Sequence, residues 1–160
     1  MIAEDNQHLQ GVQRHIANVQ QSCRVLGERL IEIEDIADGL QLIANSQLHD
    51  NSKLQPGIEW KHLRDEYKEK QPELFKAAHY QHVSSNPHHP EYWPNGIKDM
   101  PPVYVAEMVC DWHARATEFG SSVRDWVKDK ATKRFGFTVQ STPYKLIKKY
   151  LDLLLDTPFK

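Results

Sequence analysis

Two cysteines in 160 residues are too few for a disulfide framework. Cys23 and Cys110 each sit in an apolar helical pattern with no shared spacing, which fits packing duty in a reducing compartment. No apolar run reaches the ~18–20 residues of a membrane span, so no membrane partner is expected. The start, Met1 to Gln10, is acidic and polar rather than basic then apolar, which argues against a signal peptide and for the cytoplasm. Strand signals, internal repeats and low-complexity tracts are also scarce. An excess of charge is missing too: 20 basic and 22 acidic residues give a net charge of -2, and strong nucleic-acid binding is not expected. The sign is uneven, because basic residues outnumber acids from Arg124 to Lys160, among them Lys128, Lys130, Lys133, Arg134, Lys145, Lys148 and Lys149.

What is present is the make-up of an ordinary globular protein, 39% hydrophobic and 26% charged. The length suits one domain over residues 1–160. Helical periodicity predicts an all-α bundle of about six or seven helices. The first, within residues 1–35, carries Leu9, Val12, Ile16, Val19, Cys23, Leu26 and Leu30 at three-to-four spacing. A second carries Ile36, Leu40, Ile43, Ala44 and Leu48 and ends by presenting His49 and Asp50, where Asn51-Ser52 stops it. Pro56-Gly57 opens a third segment, and Pro72 starts a fourth helix through Leu74, Phe75, Ala78 and His82. Residues 84–102 form a long Ser-, Asn- and Pro-rich loop, and loops of this length are more often functional than idle. A fifth helix with Val105, Met108, Val109 and Trp112 inward follows. A sixth runs from Ser122 to Gly136, and a last one starts at Ser141-Thr142-Pro143 and is closed by Pro158.

The chemistry concentrates in histidines and aspartates. His49 and Asp50 offer an imidazole and a carboxylate from consecutive residues, a borderline and a hard donor suited to a divalent metal. His15 lies on the inner face of the first helix. Alone it reads more readily as a hydrogen-bonded core residue than as a ligand. Asp111 sits among Met108, Val109, Cys110 and Trp112, where a carboxylate is costly unless it is paired or metal-bound. A salt bridge to Arg115 is the plainer account. Of His79, His82, His88 and His89, three can hold a second cation beside the first, with Asp50 shared; binding of substrate phosphate or capping of the loop are the alternatives. Lys53 is placed to reach a phosphate, or to neutralise its helix end. Asn86, Glu91, Tyr92 and Trp93 are candidates for the pocket wall, with Trp93 either stacking on substrate or packing its loop. Glu107, one turn before Asp111, is expected behind the ligands rather than as a base. His8, His62 and His113 are expected at the surface or outside the ligands.

Four separated motifs carry a resemblance: Arg14-His15, the run His49-Asp50-Asn51-Ser52-Lys53, the segment from His82 to Trp93, and Glu107 to Trp112. Together they resemble a small family of HD-domain-like proteins of bacteria and their phages. More loosely, they are similar to the HD-GYP phosphodiesterases, although Ser52 stands where that pattern has Gly and the Gly-Tyr-Pro signature is missing. The resemblance implies a helical HD scaffold in the cytoplasm, the host's for a phage-encoded member. It implies metal ligation by His15, with His8 as the rival first ligand, and by His49, Asp50 and Asp111. A second site would use His82, His88 and His89. The implied cofactor is one or two divalent ions (Mn, Fe, Co, Zn or Mg). The implied activity is a phosphohydrolase with Asp50 and Lys53 catalytic and Lys53, Asn86 and Trp93 contacting a small phosphate ester, of nucleotide type. Homo-oligomerisation is left open. The rival readings are an HD-type diiron oxygenase and a non-catalytic, metal-stabilised binding protein.

Overall fold

The structure is a computed structural model that describes residues 2–156. Among these residues every regular element is helical. The α-helices are α1 (Ile2–Glu32), α2 (Ile36–Ser46), α3 (Ile58–His62), α4 (Asp65–Lys70), α5 (Pro72–Ser85), α6 (Pro102–Glu118), α7 (Val123–Trp126), α8 (Thr132–Phe135) and α9 (Thr142–Leu155). A π-helical stretch, Val127–Ala131, joins α7 to α8 in one rod. The described rods therefore number eight, close to the expected count.

The core lies where α1 meets α2, α6 and α9. Val19, Cys23, Leu26 and Leu30 of α1, Leu42 of α2, Val105, Met108 and Val109 of α6, and Ile147, Tyr150 and Leu151 of α9 fill it. Both cysteines are free and buried, as packing residues should be. The punctuation expected at Ser122, Gly136 and Ser141 is present. Ser122 and Ser141 cap their helices by accepting from the backbone N–H of Asp125 and Tyr144. Gly136 ends α8 at φ 67, a left-handed position that glycine takes without steric cost. The last helix already ends at Leu155, and the expected stop at Pro158 lies outside the described residues. The basic C-terminal third is partly neutralised, by Arg124 and Lys148 on Asp152, Lys149 on Asp35 and Arg134 near Glu91. No described helix is long and apolar enough to cross a membrane.

The second helix departs from expectation in two ways. Its buried residues are Gly39, Leu42 and Ser46, whereas Ile36, Leu40 and Leu48 are exposed. The cause is backbone contact with α1: a Cβ on Gly39 would stand 2.6 Å from the carbonyl oxygen of Gly27. Small residues let the two helices touch, and the larger apolar side chains are left outside. The helix also stops at Ser46, before His49 and Asp50. Short-range bonds from Leu48 N–H to Asn45 and from His49 N–H to Ser46 tighten the chain there. Asp50 then takes a left-handed conformation, φ 54 and ψ 19, before a 3-10 turn at Asn51–Leu54. Asp tolerates this region better than most residues, and strain of this kind gathers at functional sites. Here it lets two consecutive side chains face one cluster.

Candidate metal centre

Five segments converge around Asp50: α1 brings His15, the turn after α2 brings His49 and Asp50, α5 brings His82, the following loop brings His88 and His89, and α6 brings Glu107 and Asp111. Three overlapping groups could hold an ion: a first set of His15 with His49 and Asp111, a second of Asp50 with His82, His88 and His89, and a third of His49 and His88 with Glu107, whose carboxylate lies on the Nδ1 side of both rings. Asp50 stands between the first two. Its Oδ2 faces the first set, 3.9 Å from His15 Nε2 and 3.6 Å from His49 Nε2. Its Oδ1 faces the second, 3.3 Å from His82 Nε2 and 3.4 Å from His88 Nε2. Asp111 closes the first set, with Oδ1 2.9 Å from His15 Nε2. His89 Nε2 closes the second, 3.0 Å from His82 Nε2. Donors about 2.0–2.2 Å from one ion stand roughly 3–3.5 Å apart, so these spacings suit shared cations.

The unmet hydrogen-bonding capacity agrees. His49 Nε2, His88 Nε2 and Asp50 Oδ1 are buried atoms with no hydrogen-bond partner, and His15 Nε2 has only the ion-pair contact with Asp111. Buried polar atoms are rarely left so, and an unfilled ion position is a standard reason. The outward nitrogens, in contrast, are engaged. His15 Nδ1 lies 2.9 Å from Glu118 Oε1, His49 Nδ1 2.9 Å from Glu107 Oε1, and His82 Nδ1 3.0 Å from Glu59 Oε2. Glu107 Oε1 is also 3.4 Å from His88 Nδ1. Carboxylates that hold the far nitrogen fix the tautomer and aim Nε2 inward, the arrangement found behind metal-ligating histidines.

Charge completes the case. Burial favours a neutral Asp50, but the Lys53 ammonium and then His49 hold its carboxyl well below the usual range. Burial opposes a charged His88 as well, yet the carboxylates of Asp50 and Glu107 push its pKa up to about 10. Burial and the charges of His88 and His82 push His89 down to about 2. Glu107 overcomes its burial through His49 and His88 and falls to about 2, and Asp111 is lowered by His15 and His49. The Lys53 ammonium and a protonated His88 thus offset buried anionic Asp50 and Glu107, charges that a bound cation could offset instead. Such a group can hold a metal ion.

All seven predicted ligands, His15, His49, Asp50, His82, His88, His89 and Asp111, are thus brought together. His8 is not: its ring packs 5.0 Å from Trp60. His79 lies against Phe75, outside both sets. Asp111 pairs with His15, while Arg115 turns to Glu118. Lys53 reaches the cluster from its edge, its Nζ 2.6 Å from Asp50 Oδ2. Asn86 is engaged within the fold. Its Nδ2 donates to the His82 carbonyl at 2.7 Å and to Ser52 Oγ at 3.3 Å, capping α5. Trp93 fastens its loop, with Nε1 donating 2.8 Å to the Pro87 carbonyl and its ring 5.7 Å from that of Tyr104 on α6. The loop is not featureless either: 3-10 turns at Pro90–Tyr92 and Gly96–Lys98 shape it, and Ile97 and Met100 anchor it.

Glu59 and Glu118 escaped the sequence reading. Glu118 follows Glu107 and Asp111 at spacings that keep all three on one side of α6, a signal open to inspection. Glu59 sits in a five-residue helix with no such pattern. The cluster meets solvent at Asp111, 16% exposed, and Lys53, 17%, while Asp50 is 1% exposed.

No curated protein and no solved structure matches the chain. One family model does, over residues 4–154, a span that contains every residue of the cluster, and the chain therefore belongs to the family described as "Family of unknown function (DUF5662)".

Proposed function

We propose that this protein is a metal-dependent phosphohydrolase of the HD type, acting on a small phosphate ester of the nucleotide class. The observation that carries the reading is the Asp50 carboxylate, one oxygen turned to each of two histidine-rich sets. Divalent cations so held lower the pKa of bound water from about 15.7 towards ~7 and draw charge from phosphoryl oxygens. The chain's own groups do the rest. Glu59, Glu107 and Glu118 aim His82, His49 and His15. Lys53, at the solvent-facing edge, supplies a point charge to a phosphate. The order of ligands along the chain supports the HD likeness, and the nucleotide class rests on that likeness.

The three imidazoles of the second set favour one rival, a diiron oxygenase, since imidazole suits iron as well as zinc. One experiment separates the two. The protein is purified without added metal, its metals are counted, and phosphorylated metabolites are screened with Mn, Co, Mg and Fe. Phosphate release that requires metal and disappears in Asp50→Asn supports the hydrolase. Two irons with oxygen uptake and no phosphate release would replace it with the oxygenase. Metal without either reaction leaves a metal-stabilised binding protein.

A further inference from the structure

We propose that Lys53 is a built-in counter-ion competing with a divalent cation for one oxygen of Asp50, so that the two ligand sets fill unequally. The inference rests on the metal reading above but not on any reaction. Lys53 Nζ lies 2.6 Å from Asp50 Oδ2, the oxygen that faces His15 and His49. The other oxygen, Oδ1, faces His82 and His88 and has no hydrogen-bond partner. One set is therefore guarded by an ammonium and the other is open.

Local geometry makes the guard both firm and removable. The backbone N–H of Lys53 donates to the Asp50 carbonyl at 2.9 Å, which sets the lysine one 3-10 turn beyond the aspartate. The ammonium neutralises a carboxylate that is 1% exposed, while the lysine side chain is 17% exposed and has a path to solvent. A divalent ion bound to Oδ2 would stand only a few ångströms from Nζ, and like charges that close repel strongly in a partly buried site. Loading the His15–His49–Asp111 set thus requires Lys53 to swing outward, still protonated, whereas loading the His82–His88–His89 set does not. The open set fills first. The lysine, once released, stands at the solvent-facing edge of the cluster.

The test is calorimetric titration of metal-stripped protein with Co2+ alone, alongside thermal melts. Wild type should bind two ions in two resolved steps. Lys53→Met should tighten the weaker step at least tenfold and leave the stronger step within about twofold. Stripped Lys53→Met should melt below stripped wild type, and the gap should close at saturating Co2+. Lys53→Arg, which keeps the charge, should retain a weak second step and serves as the readout if Lys53→Met does not fold. Two equal steps in wild type, no tightening in Lys53→Met, or tightening in Lys53→Arg would overturn the proposal. Loss of the competition with phosphate release intact removes only this inference; intact competition without phosphate release removes only the hydrolase reading.

Discussion

Glu107 Oε1 stands 2.9 Å from His49 Nδ1, so the buried carboxylate on α6 turns the imidazole's other nitrogen towards Asp50. The same oxygen lies 3.4 Å from His88 Nδ1, which belongs to the opposite ligand set. One side chain therefore orients a histidine on each side of the bridging aspartate. Glu107→Gln keeps the shape and removes the charge. Metal affinity should fall about 10–100-fold, the usual cost of losing such a partner, with the helical circular dichroism unchanged. Calorimetry on both proteins checks it, and equal affinities would show that Glu107 merely packs.

The α1–α2 crossing gives a stability prediction. Alanine normally stabilises a helix over glycine by about 1 kcal/mol. At Gly39 the added Cβ would stand 2.6 Å from the Gly27 carbonyl oxygen and 2.8 Å from Ile31 Cγ1. The backbone cannot yield as a flexible side chain would, so Gly39→Ala should destabilise by about 1–3 kcal/mol in urea unfolding. Because α2 leads into His49 and Asp50, metal affinity should drop with it.

Tyr150 sets an alkaline limit. It is 1% exposed, and burial followed by the charges of Asp38 and Asp35 raises its pKa above the usual 10.0. A folded pKa above the unfolded one means that the folded state holds the proton more tightly. The stabilisation is complete below the unfolded pKa and is lost as pH climbs through the folded value. Urea midpoints of wild type should thus fall from about pH 10 upward, and Tyr150→Phe should fall less steeply over that window. Parallel curves for the two proteins would contradict this.

The residues of the cluster were readable in the sequence because each had a local signature: a histidine on an apolar face, an adjacent His-Asp pair, a histidine-rich loop, an aspartate among core residues. His15 and Asp111 meet across 96 residues because α1 and α6 pack together, and the apolar spacing of both helices already implied inward faces. Glu59 was not readable, since its role comes only from a short helix packing on α5 beneath His82. The structural parts played by Asn86 and Trp93 were hidden for a related reason. Polar and aromatic residues in a loop look like pocket walls until the backbone carbonyls of His82 and Pro87 are seen to need their donors. The buried face of α2 was hidden by a contact between two glycines, which carry no hydrophobic signal at all.

If Asp50 ties two cations together, the metal content of Asp50→Asn must fall below that of wild type. Asparagine tolerates the left-handed backbone at this position and keeps the side chain's size, so the fold should survive. Wild type reconstituted with Co2+ or Mn2+ should hold two ions per chain, seen as two anomalous-scattering peaks flanking residue 50 in crystals, and Asp50→Asn should hold one or none. Two ions retained in Asp50→Asn, or none in wild type, would contradict the account.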